Sequence, residues 1–141
     1  MLKISRKRHY YHIFSQLQIV NFKILSIFPE LFKPFTELGL VGRAIKEDKI
    51  SIELTQLRDF AINTQAQIDD TPFGGGAGMV LRPEPAIEAI KKHKSKNSKV
   101  VLFTPRGKKL DHNFAKEISA NKDLILLCTR YEGVDQRVVD N

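Results

Sequence analysis

The sequence predicts an α/β domain with a largely parallel sheet flanked by helices, and three observations carry that prediction. Short apolar runs of strand length recur along the chain, segments with helical spacing lie between them, and loops bearing glycine or proline separate the two. Strands that alternate with helices are joined by crossovers, which set successive strands parallel. At 141 residues, 42% hydrophobic and 28% charged, the chain suits one domain with a modest core. That balance excludes collagen-like, low-complexity and wholly disordered chains. The longest apolar runs, such as Leu124–Cys128, are far shorter than the roughly 20 residues that span a bilayer.

Residues 1–21 read as a basic, aromatic, acid-free extension, and 22–141 as the domain itself. Ser15, Gln16 and Gln18 interrupt the apolar stretch Ile13–Val20, so the continuous core of a secretory signal is missing. A transit-like leader and a start codon placed too far upstream both fit this extension. Phe22–Phe28 is an apolar strand, and Pro29 suits the first turn of a short helix over Glu30–Glu37. Leu40–Glu47 is a second helix. Ile50–Leu57 alternates Ile52 and Leu54, as a half-buried strand does. Arg58–Gly78 is a long connection without a period, and Met79–Leu81 is a brief strand. Pro83-Glu84-Pro85 opens a helix with an apolar face of Ala86, Ile87, Ala89 and Ile90, and its C-terminus carries lysines. Val100–Phe103 is a buried strand, Asp111 caps a helix to about Ala120, Leu124–Cys128 is another buried strand, and Gly133–Val139 starts a last helix.

The net charge of +7 is unevenly placed. Lys3, Arg6, Lys7 and Arg8 supply +4 of it within residues 1–21. Residues 89–110 hold eight basic side chains, from Lys91 to Lys109, and no acid. Such a balance points to a polyanionic partner, although 91–99 alone also reads as a solvated helix end. The single cysteine, Cys128, excludes an internal disulfide and suits a reducing, cytoplasmic setting; ending an apolar run, it reads as a structural thiol. The histidines His9, His12, His93 and His112 are scattered, and no metal site follows from them.

Ligands of such sheets sit outside the carboxyl ends of the strands. Two loops leave those ends with reactive chemistry: Thr104-Pro105-Arg106-Gly107 and Thr129-Arg130-Tyr131-Glu132-Gly133. A third segment, Asp69–Met79, contains Gly74, Gly75, Gly76 and Gly78. Those glycines allow a planar ligand or a phosphate to approach the main chain, and functional use is favoured over a simple hinge. No Gly-Lys-Ser/Thr follows them, and no strand immediately precedes them, so neither the P-loop nor the dinucleotide fingerprint is matched. Asp69 and Asp70 suit a general base, a metal ligand or a helix cap; as adjacent residues they point apart, which disfavours a shared proton. Residue types and spacing thus yield a ligand site at the strand ends, with a nucleotide or nucleic acid preferred.

Together these segments resemble the bacterial tRNA (guanine-N1)-methyltransferases of the knotted SPOUT superfamily. The resemblance runs from about Phe22 to Asn141 and rests on Ile27–Phe32, Gly42-Arg43-Ala44, Arg58-Asp59-Phe60, Asp69–Met79, Thr104–Leu110 and Cys128–Val138. It implies methyl transfer from S-adenosyl-L-methionine to N1 of the guanosine 3′ of the anticodon in tRNA. It also implies a trefoil-knotted cofactor site and a homodimer with active sites between subunits. On that resemblance the cofactor would contact Thr104, Pro105, Arg106, Thr129, Tyr131, Glu132 and Gly133. The tRNA side would involve Arg58, Asp70, Gly74, Gly75, Gly76, Gly78 and Arg137, with the basic stretch 91–109 holding phosphates. No metal or membrane is implied.

Three departures from the family pattern shape the expectation. Thr129 stands where the family has glycine, adding a branched side chain at the cofactor's backbone contact. Ala61–Gln67 replaces a basic, histidine-containing stretch. The family's Ile-Gly-Asp-Tyr-Val-Leu-Ser-Gly-Gly-Glu loop, its catalytic aspartate, an active-site arginine and its helical C-terminal tRNA-binding domain all lie past Asn141. The chain therefore reads as the N-terminal portion of such an enzyme, without a catalytic base of its own and inactive alone. The alternatives are half of a split enzyme assembled with a separately encoded partner, and a non-enzymatic RNA-binding remnant.

Overall fold

The computed structural model describes residues 19–72 and 74–140. The basic extension before Ile19 lies outside them, as do Phe73 and Asn141. Among the described residues six strands occur in chain order: β1 (Val20–Ser26), β2 (Ile50–Gln56), β3 (Asp69–Asp70), β4 (Val80–Leu81), β5 (Lys99–Leu102) and β6 (Asp123–Cys128). The helices are α1 (Lys33–Glu37), α2 (Gly39–Lys46), α3 (Pro83–His93), α4 (His112–Ser119) and α5 (Gln136–Asp140), with single 3-10 turns at Pro29–Phe32 and Leu57–Phe60. Four strands form one sheet in the order β2-β1-β6-β5, with every pairing parallel, while β3 and β4 make a small antiparallel pair.

The first strand starts at Val20, two residues earlier than its apolar run suggests. Val20 and Asn21 are recruited by neighbours: Val20 pairs with Ile50, Asn21 with Ser51 and Asp123, and the Ser51 hydroxyl donates to Asn21 Oδ1 at 2.6 Å. The strand stops at Ser26, whose Oγ accepts the Phe28 N–H at 3.2 Å and turns the chain. The helix expected over Glu30–Glu37 is broken in two. Pro34 has no N–H to give the Glu30 carbonyl, and the Lys33 N–H takes that carbonyl instead, closing a 3-10 turn before α1 begins. The last helix begins at Gln136, later than Gly133, because the Asp135 carboxylate accepts the Arg137 N–H at 2.9 Å and caps it there.

Period-two alternation splits the sheet into two faces. On one, Leu25, Ile27, Ile125 and Leu127 are buried against Ala86 and Ala89 of α3, with Leu57, Ile68, Leu81 and Val138 closing the core. On the other, Phe22, Leu124 and Leu126 look toward Phe114 and Ile118 of α4 across an open groove. The base of the sheet is tied by Asp123. Its carboxylate accepts from Ser95, Ser98 and Lys23, and Lys23 also donates to the His93 carbonyl at 2.8 Å.

This arrangement divides the basic run 91–109. Lys91–Lys99 lies where α3 ends and β5 begins, at the amino ends of the strands; Arg106, Lys108 and Lys109 follow the carboxyl end of β5. Contiguous in sequence, the two groups sit at opposite ends of the sheet.

Candidate functional site

The adjacent strands β5 and β6 end at Leu102 and Cys128, and the loops that leave them enclose a cavity of about 680 Å³. Thr104, Pro105, Arg106 and Gly107 form one wall; Thr129, Tyr131, Glu132 and Gly133 form the other. All seven residues that the motifs place around a cofactor therefore line one cavity. The sequence reading missed its apolar floor and rim, which come from Leu102, Phe103, Val134 and Val139, with Gln136 among them. In sequence these resemble core positions, and only their place at strand and helix ends sets them here. The first loop is a tight turn: the Gly107 N–H donates to the Thr104 carbonyl at 3.1 Å, and a Cβ on Gly107 would sit 3.3 Å from Thr104 atoms. Arg130 leaves the cavity and lies over the Phe28 ring, 5.4 Å from its centroid.

The glycine-rich segment is bolted to the second loop through its return strand. The Glu132 N–H donates to the Met79 carbonyl at 3.2 Å, the Leu81 N–H to the Gly133 carbonyl at 3.1 Å, and the Asp135 N–H to the Leu81 carbonyl at 3.3 Å. Gly78 sits where these segments touch. Its φ is +91°, and a Cβ there would lie 2.6 Å from Glu132 Cγ. Only glycine both adopts that conformation readily and leaves the Glu132 side chain its place. Gly74, Gly75 and Gly76 are also left-handed but exposed, with no atom near enough to meet a side chain.

Tyr131 couples the loop to β3. Its phenol is pushed up first by burial, then by its hydrogen bond to Asp69 and that carboxylate's charge, with the Arg58 and Arg130 cations opposing. The phenol therefore stays protonated beside the Asp69 carboxylate. Asp70, on the opposite side of the strand, accepts the Thr71 N–H at 2.8 Å and lines a separate small cavity of about 120 Å³ with Arg137. The two aspartates do point apart. Arg137 forks onto Asp135 at 2.8 and 2.9 Å, and that side-chain pair together with the Arg137 N–H holds the Asp135 carboxyl down to about 2. Arg58 donates to the Ala66 carbonyl at 3.2 Å. The residues assigned to the tRNA side thus separate into Gly78 against Glu132, exposed Gly74–Gly76 just before it in the chain, Arg58 near Tyr131, and Asp70 with Arg137 in a neighbouring cleft. Burial raises the Cys128 thiol, which suits a packing role. Among the described residues, no cluster of three or more His, Cys, Asp or Glu side chains is arranged to hold a metal ion.

Residues 20–141 match the family model described as tRNA (Guanine-1)-methyltransferase TrmD. The chain belongs to that family. Among its curated relatives, a tRNA (guanine-N(1)-)-methyltransferase of Francisella philomiragia is 49% identical over 125 residues, covering 86% of this chain and 49% of that protein. The Clostridium perfringens tRNA (guanine-N(1)-)-methyltransferase is 44% identical over 120 residues, covering 84% of this chain and 50% of that protein. The crystal structure of tRNA (m1G37) methyltransferase from Aquifex aeolicus superposes with a TM-score of 0.74 at 37% identity, over 86% of this chain and 56% of that one. The α/β fold with its parallel four-stranded sheet is therefore the one this tRNA (guanine-1)-methyltransferase family adopts over the matched part. The chain spans about half the length of the curated relatives it matches. No helix among the described residues is long and apolar enough to cross a membrane.

Proposed function

We propose that this chain carries the cofactor-cradling half of an S-adenosylmethionine-dependent tRNA (guanine-N1)-methyltransferase, working in the cytoplasm as part of a homodimeric enzyme. The observation that carries the reading is the cavity between the β5 and β6 exits, where all seven motif-assigned residues converge beside the glycine-rich loop. Its donor set fits the cofactor. Leu102, Phe103, Val134 and Val139 offer apolar walls to a purine and a thioether chain, and Glu132 sets a carboxylate beside positive charge. S-adenosylmethionine supplies an electrophilic methyl group on a cationic sulfur.

The chain's own residues then do three things. The Thr104–Gly107 and Thr129–Gly133 loops orient the cofactor. Gly78 lets Glu132 stay at the cavity wall, and exposed Gly74–Gly76 leave room for a flat base against the main chain. Guanine N1 becomes nucleophilic only as its proton leaves, so a carboxylate base with a donor near O6 is required. Asp135 is committed to Arg137. The resemblance puts that base in the part of the relatives that this chain does not span, and on this reading the isolated chain binds S-adenosylmethionine weakly and does not turn over. Arg106, Lys108 and Lys109, at the cavity end of the sheet, are the cations best placed for tRNA phosphates.

The test is a chimera in which residues 20–141 replace the matching 125 residues of the Francisella philomiragia relative. It should methylate unmodified tRNA at N1 of guanosine, and Glu132→Gln should lower kcat/KM at least tenfold. A folded chimera without methylation would overturn the reading.

A further inference from the structure

The proposed function uses Arg106, Lys108 and Lys109 but leaves the other half of the basic run without a role. That half lies at the amino ends of the strands. Lys94 and Lys96 sit in the turn that joins α3 to β5, Lys99 is the first residue of β5, and Lys122 directly precedes β6. Since β5 and β6 are parallel neighbours, with Lys99 in register with Leu124, these side chains share one end of the sheet. All four are exposed, and none is ion-paired with a carboxylate among the described residues.

Ordinary structural roles account for the neighbouring cations and not for these. Lys91 and Lys92 stand in the last turn of α3, where the negative end of the helix favours them. Lys91 also meets Glu88 at 2.9 Å, and Lys92 lies over the Phe60 ring. Lys23 faces inward, onto Asp123 at 2.9 Å and the His93 carbonyl at 2.8 Å. Asp123 is engaged from the other side by the Ser95 and Ser98 hydroxyls, and the Ser95 N–H donates to Ser98 Oγ at 2.7 Å. One carboxylate thus pins the turn to the base of the sheet while Lys23 neutralises it. The lysines of the turn stay exposed on a fixed scaffold, and their mutual repulsion is offset only by a polyanionic partner.

We infer that the amino end of the sheet is a second RNA-binding surface, where Lys94, Lys96, Lys99 and Lys122 hold backbone phosphates away from the cofactor cradle. Lysine is a point charge on a flexible stem, which suits the varied phosphate positions of a folded RNA. Asn97, exposed between the lysines, offers an amide to a phosphate or a 2′-hydroxyl. β1 also begins at this end, so the acid-free stretch with Lys3, Arg6, Lys7 and Arg8 is attached here. An anionic bilayer is the poorer match. Surface binding to lipid needs an apolar face, and among the described residues Ile19 is the one exposed large apolar side chain at this end. That the RNA is the methylation substrate rests on the proposed function; the surface itself does not.

An end-labelled, unmodified tRNA transcript is titrated with the full 141-residue chain by fluorescence anisotropy, without S-adenosylmethionine, over a range of salt. Each phosphate contact carries a salt slope of about 0.7–0.9, hence about five- to eightfold in affinity at about 0.1 M salt. Lys94→Gln/Lys96→Gln/Lys99→Gln, checked for native circular dichroism, should therefore lose about a hundredfold or more and flatten the slope by about two to three. Lys33→Gln, an exposed charge on α1 past the carboxyl end of β1, should lose less than about twofold. In the unsubstituted chain, bound tRNA should shield Lys94, Lys96 and Lys99 from an amine-acylating reagent, read by mass spectrometry. Four results would overturn the surface. They are no tRNA binding at low salt; binding indifferent to the triple substitution, including binding lost only on deleting residues 1–18; a loss per charge no larger than that of Lys33→Gln; or lysines that tRNA leaves open to acylation. Vesicles of equal parts phosphatidylserine and phosphatidylcholine complete the test. If they bind through the same lysines at least as tightly as tRNA, the face belongs to a membrane and the RNA surface is refuted.

Discussion

Replacing Gly78 with alanine asks whether the glycine-rich loop holds Glu132 in place. Two costs are expected, and they are separable. The first is backbone: a residue with a Cβ at φ +91° is strained by about 1–3 kcal/mol, less the small gain from restricting the unfolded chain. Gly75→Ala carries nearly the same cost, since its φ is +79° and its Cβ would meet nothing within 4 Å. The second is specific to Gly78. Its Cβ would come within 2.6 Å of Glu132 Cγ, where ordinary contact begins at 3.4 Å, so Glu132 must rotate about its first torsion. Driving a side chain off its rotamer costs about 0.5–1.5 kcal/mol. Gly78→Ala should therefore destabilise by that much more than Gly75→Ala, or by about 3–5 °C in Tm per kcal/mol for a domain of this size. Thermal and urea unfolding of both variants, repeated in a Glu132→Ala background, make the double-mutant cycle. With Glu132 cut back to Cβ, the excess should vanish. An excess that persists, or equal costs in the wild-type background, would refute the contact.

Three further outcomes follow from single interactions. Asp111→Ala removes the cap that accepts the Phe114 N–H at 2.8 Å and should cost about 1 kcal/mol in urea unfolding, with α4 loosening first. Leu127→Ala empties a fully buried position against α3 and should cost about 2–5 kcal/mol; under 1 kcal/mol would contradict the core described above. Asp135, held at about 2 against an ordinary 3.8, contributes stability that is complete above the higher value and lost as pH falls through the lower one. In Arg137→Ala a carbon-detected NMR titration should show the Asp135 carboxyl returning toward its ordinary range, which removes that contribution and its loss in acid.

Much of the fold was legible because local chemistry and tertiary packing agree. Proline at the start of α3, with its apolar Ala86 and Ala89 and its lysine end, has a single sensible reading, as does Asp111 before α4. The loops at the β5 and β6 exits were legible for a topological reason: neighbouring parallel strands place their carboxyl ends together, so two chemically rich exits must converge. What escaped depends on partners far along the chain. Val20 and Asn21 extend β1 because β2 and β6 offer them hydrogen bonds. Asp69 rather than Asp70 sits beside Tyr131, which is decided by the register of a two-residue strand pairing with Leu81. The basic run 91–109 looked like one surface, yet β5 spans about 13 Å between its two groups, at the usual rise per residue. Only the direction of that strand reveals the separation.

Thr129 bears on function most directly, because there the chain departs from the pattern it resembles. The residue follows β6 and stands in the cavity wall beside Tyr131 and Glu132, across from Thr104 and Pro105. Glycine at this place lets a ligand rest on the backbone; threonine puts three heavy atoms between them. Thr129→Gly should thus act oppositely on binding and folding. Relief of one steric contact worth about 1 kcal/mol tightens a ligand about fivefold. Loss of a β-branched residue at a strand end costs about 0.5–1 kcal/mol of stability. In the chimera, Thr129→Gly should lower KM for S-adenosylmethionine about fivefold, leave KM for tRNA unchanged and lower Tm by a few degrees. A general loosening of the loop would raise both KM values, and a pure folding defect would lower the active fraction without moving either. If KM for S-adenosylmethionine stays the same or rises in a folded variant, Thr129 does not obstruct the cradle and the cofactor lies elsewhere along its wall.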